Sequence, residues 1–178
     1  LGLESARQAV ASLKKGRRIE ELEQFALNDS MTGFYNRNAY DYFIYNEKNI
    51  KNYMVVTFDL NNLKMCNDNY GHSSGDAYII HSAHIIETTF DRFGKCYRIG
   101  GDEFCCLIPD AAEFQIERFI QKMQQDIAIL NNKNIIPTEV GIACGYALAT
   151  PDDADIEKVR ERADEMMYHN KKVLKGLI

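Results

Sequence analysis

The run Tyr53–Leu60, YMVVTFDL, constrains the fold more than any other stretch. Its residues are β-branched or apolar almost without a break until Asp59. A strand with one face in water alternates apolar and polar positions, whereas a strand covered on both faces stays apolar throughout. The run therefore predicts a central buried strand ending at Asp59. Such a strand needs one layer above it and another below, so helices are expected against a sheet.

The rest of the chain supplies those layers. Asn36 is placed to cap a helix running to about Tyr45. The stretch NNLKMCNDNYGHSSGD reads as a loop, followed by a helix from about Ser74 to Phe90. KCYRI and EFCCLIP read as two strands joined in a hairpin at Gly100 and Gly101, since paired glycines accept the positive φ of tight hairpin turns. Further helices are expected over 112–130 and from a cap near Asp155 to Leu174, with a strand in TEVGIACGYALA between them. The expectation is an α/β fold, a central sheet of mixed pairing flanked by helices. Upstream, Val10, Leu13, Ile19, Leu22 and Phe25 follow roughly helical spacing over 4–27, interrupted at Gly16. The KKGRR run there reads as a solvated helix face.

Composition narrows the classes. A net charge of −5 over 178 residues disfavours a general nucleic-acid surface, which needs a cationic footprint. No run approaches a membrane span, and the polar N-terminus is unlike a signal peptide. Starting without Met, the sequence is expected to be a piece of something longer. The five cysteines lack a CxxC pair and sit mostly in apolar runs, as reduced thiols of a cytoplasmic protein do.

Several polar groups stand out against this background. Asp59 closes a buried strand, where a carboxylate either serves a site or caps the next loop. Asp102 and Glu103 follow the glycine pair. If the hairpin lies beside the Asp59 strand, three carboxylates converge, and clustered like charges need a cation. Oxygen-only donors with room for water and phosphate suit Mg²⁺. His81 and His84 share a helix face without a ligand spacing. After Asp59, the LNNLK turn offers successive backbone N–H groups that could cradle phosphates. Asn67 and Asp76 flank a Gly-containing stretch. An amide and a carboxylate can read the edge of guanine, although Asn67 could equally shape a turn and Asp76 cap a helix. Lys171 and Lys175, one turn apart, either complement the helix dipole or hold a triphosphate.

Four segments in this order, DSMTGFYNR (29–37), FDLNNLKMCNDNYGHSSGD (58–76), RIGGDEF (98–104) and ADEMMYHNKK (163–172), resemble the GGDEF family, the diguanylate cyclases. The resemblance covers 29–178, leaving 1–28 as a helical signalling linker from an upstream sensory domain. It implies a fold similar to the palm of nucleotide cyclases and polymerases. It also implies condensation of two GTP to cyclic di-GMP, with one GTP on each protomer of an antiparallel homodimer. Asp59, the Leu60 carbonyl, Asp102 and Glu103 would hold two Mg²⁺ or Mn²⁺ per active site, with Asp59, Asp102 and Glu103 as the catalytic carboxylates. Asn67 and Asp76 map to the guanine readers. Asn62, Leu63, Lys64, Lys171 and Lys175 map to phosphate contacts. Gly100 and Gly101 turn the hairpin close to the nucleotide, Arg98 is structural or interfacial, and Asp29 with Arg37 braces the domain entrance.

Departures from the family pattern are local. Asn61 stands where Asp is usual, and Lys175 where Arg is common. The Arg-x-x-Asp segment through which many members bind product reads Asp91-Arg92-Phe93-Gly94, so no product-inhibition site is expected there. The other function class on the same fold is a non-catalytic GTP-binding sensor or dimerisation module. Neither binding of nucleic acid nor direct membrane insertion is expected. The expected location is cytoplasmic, whether as a free protein or as the cytoplasmic part of a larger one.

Overall fold

The computed structural model describes residues 26–174 together with Lys15 and Arg18. The helix expected over 4–27 therefore lies almost wholly outside the described residues, as does Lys175.

Strand β1 (Met54–Asn61) is buried at all eight positions, as its unbroken apolar run demands. It continues two residues past Asp59. Helix α1 (Arg37–Asn46) precedes it and starts where expected: the Asn36 side chain accepts the Ala39 N–H at 3.0 Å. After β1 come α2 (Leu63–Tyr70), α3 (His72–Phe90), β2 (Lys95–Arg98) and β3 (Glu103–Ile108). A single 3₁₀ turn at Ala111–Glu113 leads to α4 (Ile116–Asn132), β4 (Gly141–Leu148) and α5 (Ile156–Leu174). Asp155 caps α5 by accepting the Lys158 N–H.

The stretch expected as one loop after Asp59 is mostly helix. Asn62, in the left-handed region at φ 61°, turns the chain out of β1 and opens α2. Leu63 and Cys66 then bury one stripe of that helix. Gly71, at φ 84°, separates α2 from α3, a conformation that side-chain-bearing residues rarely adopt.

The sheet runs β2-β3-β1-β4, and every neighbouring pair is antiparallel. The α/β class stands, but the expected mixed pairing does not hold among these strands. Two β-α-β crossovers do create parallel strands, β1 with β2 and β3 with β4. In each case a third strand inserts between the two, as in a split βαβ arrangement. The one parallel bridge among the described residues joins Tyr35, ahead of α1, to Tyr97 in β2.

The faces of β1 lead to different layers. Met54, Val56, Phe58 and Leu60 pack with α3 and α4 residues such as Ile86, Phe90, Met123 and Ile127. Val55, on the opposite face, packs with α1 and α5 through Tyr40, Ile156, Val159 and Ala163. Thr57, Asp59 and Asn61 follow Val55 on that second face, so the carboxylate of Asp59 lies under α5. Helix α5 sits directly on the β4 backbone. A Cβ on Gly145 would lie 2.2 Å from the Ala163 carbonyl oxygen and the Met167 nitrogen. Among the described residues no helix is long and apolar enough to cross a membrane.

Candidate functional site

The C-terminal end of β1 gathers the polar groups. Asp59 is opposite Glu103 in the β1–β3 register, so both side chains leave the sheet on the same face. Like charges opposed across strands repel unless compensated. The Lys171 ammonium from α5 stands 2.5 Å from Asp59 Oδ1 and supplies a compensating charge. The loop before β3 is tied in by a backbone bond: the Leu60 N–H donates to the Asp102 carbonyl at 3.0 Å.

Beside this pair lies an open cleft of about 460 Å³, lined among others by Leu60, Asn62, Leu63, Lys64, Asp102 and Lys171. Two cationic side chains and the start of α2 thus border one space, an arrangement suited to phosphate. Asp68 lines it as well, a residue passed over in the sequence although it falls one turn after Lys64 on the same helix. A larger cavity of about 560 Å³ lies across Asn61, between α4 and the start of β4, and holds none of the expected site residues except Asn62.

The three carboxylates do not close into a cage. Among the described residues no group of three His, Cys, Asp or Glu side chains is arranged to hold a metal ion. Asp59 turns to Lys171, and the exposed Glu103 folds its carboxylate over Gly100. The donor chemistry nevertheless fits a hard cation. Asp59 is 8% exposed and already holds a positive group, and Asp102 and Leu60 line open space next to it. Mg²⁺ characteristically takes one or two carboxylates and completes its shell with water and substrate phosphates.

Gly100 and Gly101 have no positive φ, contrary to the expectation for the hairpin turn. The connection spans Ile99–Asp102, long enough to turn without that conformation, and the Ile99 and Gly100 N–H groups share the Glu103 carbonyl. Gly100 instead lies under Glu103: a Cβ there would be 2.7 Å from Glu103 Oε2, so that carboxylate would have to swing away.

Asn67 and Asp76 sit on the adjoining helices α2 and α3. Asn67 is inside α2, and Asp76 is exposed one turn into α3, away from the cap position. A Cβ at Gly75 would strike the Asn67 amide oxygen at 1.9 Å, so the glycine makes room for that amide. Behind them, the buried Tyr78 hydroxyl donates to the Asn61 carbonyl at 2.6 Å and accepts the Gly141 N–H at 2.7 Å, joining the ends of β1 and β4. Burial, only partly offset by the backbone bond at Gly141, pushes the Tyr78 phenol up to about 12. Asn61 itself is buried opposite Gly141, and its amide oxygen has no partner. A carboxylate at that position would be a buried charge.

Asp29 and Arg37, expected together at the domain entrance, bond to different partners. Arg37 pairs with Asp41 on its own helix at 2.9 Å. Asp29 instead receives Arg98 Nη1 at 3.1 Å and the Thr32 N–H and hydroxyl, while Arg98 Nη2 donates to the Gly101 carbonyl at 2.8 Å. Burial would raise the Asp29 carboxyl, but the bonds from Thr32 and Arg98 outweigh it and hold the group below the ordinary 3.8. The entrance segment is thereby fastened to the hairpin loop that carries Asp102. Asn170, also unforeseen, accepts the Cys144 N–H at 3.2 Å and pins the turn of α5 that carries Lys171.

The family model described as "Diguanylate cyclase, GGDEF domain" matches residues 26–175. Diguanylate cyclase DgcN of Escherichia coli K12 is 31% identical over 157 residues, 85% of this chain and 38% of that protein. Diguanylate cyclase DgcS of Shewanella oneidensis is 27% identical over 161 residues, covering 85% and 52%. The chain thus spans about half or less of these two curated relatives. In fold it is similar to the coiled coil and GGDEF domain of DgcB from Caulobacter crescentus, solved in complex with c-di-GMP. The TM-score is 0.78 at 23% identity, with 94% of each chain covered.

Proposed function

Because the chain belongs to the GGDEF-domain family of diguanylate cyclases, we propose that it condenses two GTP molecules to cyclic di-GMP, releasing two pyrophosphates. The observation that carries this is the opposition of Asp59 and Glu103 on one face of β1 and β3, beside a cleft with Lys64, Asp102 and Lys171.

In the proposed reaction each protomer of an antiparallel dimer holds one GTP. Each 3′-oxygen forms a bond to the α-phosphorus of the opposite nucleotide, the α–β phosphoanhydride bond breaks, and the 3′-hydroxyl proton is lost. Asn67 and Asp76 orient guanine from α2 and α3. Asn62, Leu63, Lys64 and Lys171 bind phosphate oxygens, and Lys175 joins them. Asp59, Asp102, Glu103 and the Leu60 carbonyl would hold two Mg²⁺ or Mn²⁺ ions, which when bound neutralise phosphate charge and acidify the attacking hydroxyl. In this reading Glu103 serves as a metal ligand or receives the 3′-hydroxyl proton. Dimerisation contributes orientation, a term that can reach about 7–11 kcal/mol in well-aligned reactions. A cytoplasmic setting and an upstream sensory domain belong to the same proposal.

Product control through the segment before the hairpin is not part of it. Gly94 lies so close to β3 that a Cβ would be 2.1 Å from the Leu107 carbonyl oxygen, which leaves no room for an acidic side chain at that position.

Product analysis at two protein concentrations tests the proposal. Incubation with GTP and Mg²⁺ should yield cyclic di-GMP with a specific activity that rises with protein concentration. Glu103→Gln should lower turnover by about 10²-fold or more while GTP still binds. GTP bound at high protein concentration without any cyclic di-GMP would overturn the catalytic reading in favour of a binding module.

A further inference from the structure

Asp59 is paired within the chain. Its carboxylate is among the few buried charged groups, and the Lys171 ammonium holds it at 2.5 Å, with the two side chains only 12% and 24% exposed. The pair spans 112 residues of sequence, and its geometry is fixed from both sides. β1 is buried at every position, while α5 is pressed onto the backbone of Gly145 and pinned by Asn170 to Cys144.

An ammonium and a divalent cation cannot both occupy one carboxylate oxygen, because their repulsion at that spacing is large in a partly buried site. A cation that takes Oδ1 is therefore favoured when Lys171 moves elsewhere. Its alternatives border the same open cleft. Asp68 and Asp102 are there, but a pair formed with either would face solvent and gain little. A polyphosphate in the cleft offers Lys171 several charged oxygens and takes Lys64 as a second partner.

We propose that Lys171 is an internal counter-ion that makes divalent-cation binding at Asp59 conditional on a polyphosphate in the adjoining cleft. The cation alone binds weakly because it competes with Lys171. With the polyphosphate present, Lys171 transfers from Asp59 to phosphate, and the vacated carboxylate takes the metal. The two ligands thus favour each other reciprocally. This rests on the reading of the cleft as a site for a metal and a nucleoside triphosphate. It adds an order of assembly that this reading does not require.

The test is Mn²⁺ binding to the full chain, read from the spectrum of free Mn²⁺ by electron paramagnetic resonance. Without nucleotide, Lys171→Met should bind Mn²⁺ more tightly than the unchanged protein by roughly 5-fold or more, within the usual range of coupling between sites. Adding Asp59→Asn to that variant should abolish the gain. In the unchanged protein, the non-reacting α,β-methylene analogue of GTP should tighten Mn²⁺ binding by a similar factor, after correction for Mn²⁺ held by the analogue in solution. Equal Mn²⁺ affinity for the unchanged protein and Lys171→Met would overturn the proposal. If Lys171→Met does not fold, the analogue experiment on the unchanged protein decides alone, and no tightening there overturns it. Neither measurement depends on turnover. An active cyclase with equal affinities would keep the proposed function and lose the counter-ion, while an inactive protein with the expected affinities would do the reverse.

Discussion

The two faces of β1 are equally buried and chemically opposite. One sends Met54, Val56, Phe58 and Leu60 into a core of aliphatic and aromatic side chains from α3 and α4. The other sends Val55, then Thr57 and Asp59, toward α5, which carries a ladder of charges along its length. Tyr40 donates to Glu157 at 2.7 Å, Arg160 links Glu157 and Asp164, and Lys171 takes Asp59. Burial alone therefore does not separate scaffold from site in this strand. The dry face has only packing to lose. The polar face holds charges that must be compensated, and any compensation made by a side chain can be replaced by a ligand.

Ionisation follows the same division. Burial would raise the Glu157 carboxyl, but hydrogen bonds from Arg160 and Tyr40 outweigh it and hold it below the ordinary 4.5. Asp164, touching the same guanidinium, is pushed above its ordinary 3.8 because burial outweighs its attraction to Arg160.

The sharpest break should come from the dry face. Phe90 is fully buried against Phe58, with ring centroids 5.4 Å apart, and Phe90→Ala should cost about 3–5 kcal/mol in urea unfolding. That cost should not change as pH falls, since packing carries it; a deficit that shrinks with acid would erase the distinction between the faces. Gly145→Ala should cost about 1–3 kcal/mol by forcing α5 off β4. It should also lower cyclic di-GMP formation in samples verified as folded, because Lys171 moves with the helix; full turnover would show that seating of α5 does not govern the site. Glu157→Gln should have the smallest effect, about 0.5–1 kcal/mol near neutral pH for a partly exposed group. With its folded pKa depressed, Glu157 contributes stability above 4.5 that disappears as pH falls through the folded value. The gap between Glu157→Gln and the unchanged protein should therefore close on acidification, and a gap that stays open below that value would exclude charge as its cause.

Local pattern made much of this legible. The unbroken apolar run predicted a strand covered on both faces, and Asn36 and Asp155 marked helix starts because capping is a short-range bond. Residues 62–70 did not read as helix because their Asn and Asp residues, with Gly71 just beyond, are turn chemistry, and only Leu63 and Cys66 betray the buried stripe. The antiparallel order was hidden because insertion of β3 between β1 and β2 leaves no local trace. At the candidate site, the sequence named segments that the fold brings to one cleft and missed how they bond to one another. Asp29 meets Arg98 across 69 residues, and Lys171 meets Asp59 across 112. Gly100 stood out for its conformational freedom, whereas it has no positive φ and the Glu103 carboxylate folds over it.

The strand order also bears on how the chain reaches this state. Only β2 and β3 pair with a neighbour in sequence; β1 must wait for β3 on one side and β4 on the other. Pairings of such long range make folding slow, because loop closure precedes any reward. The opposition of Asp59 and Glu103 requires β3 beside β1, and the arrival of Lys171 requires α5 on the sheet, so the proposed site is complete only in the assembled fold. A nucleotide and metal bound as proposed would hold that assembled fold by mass action.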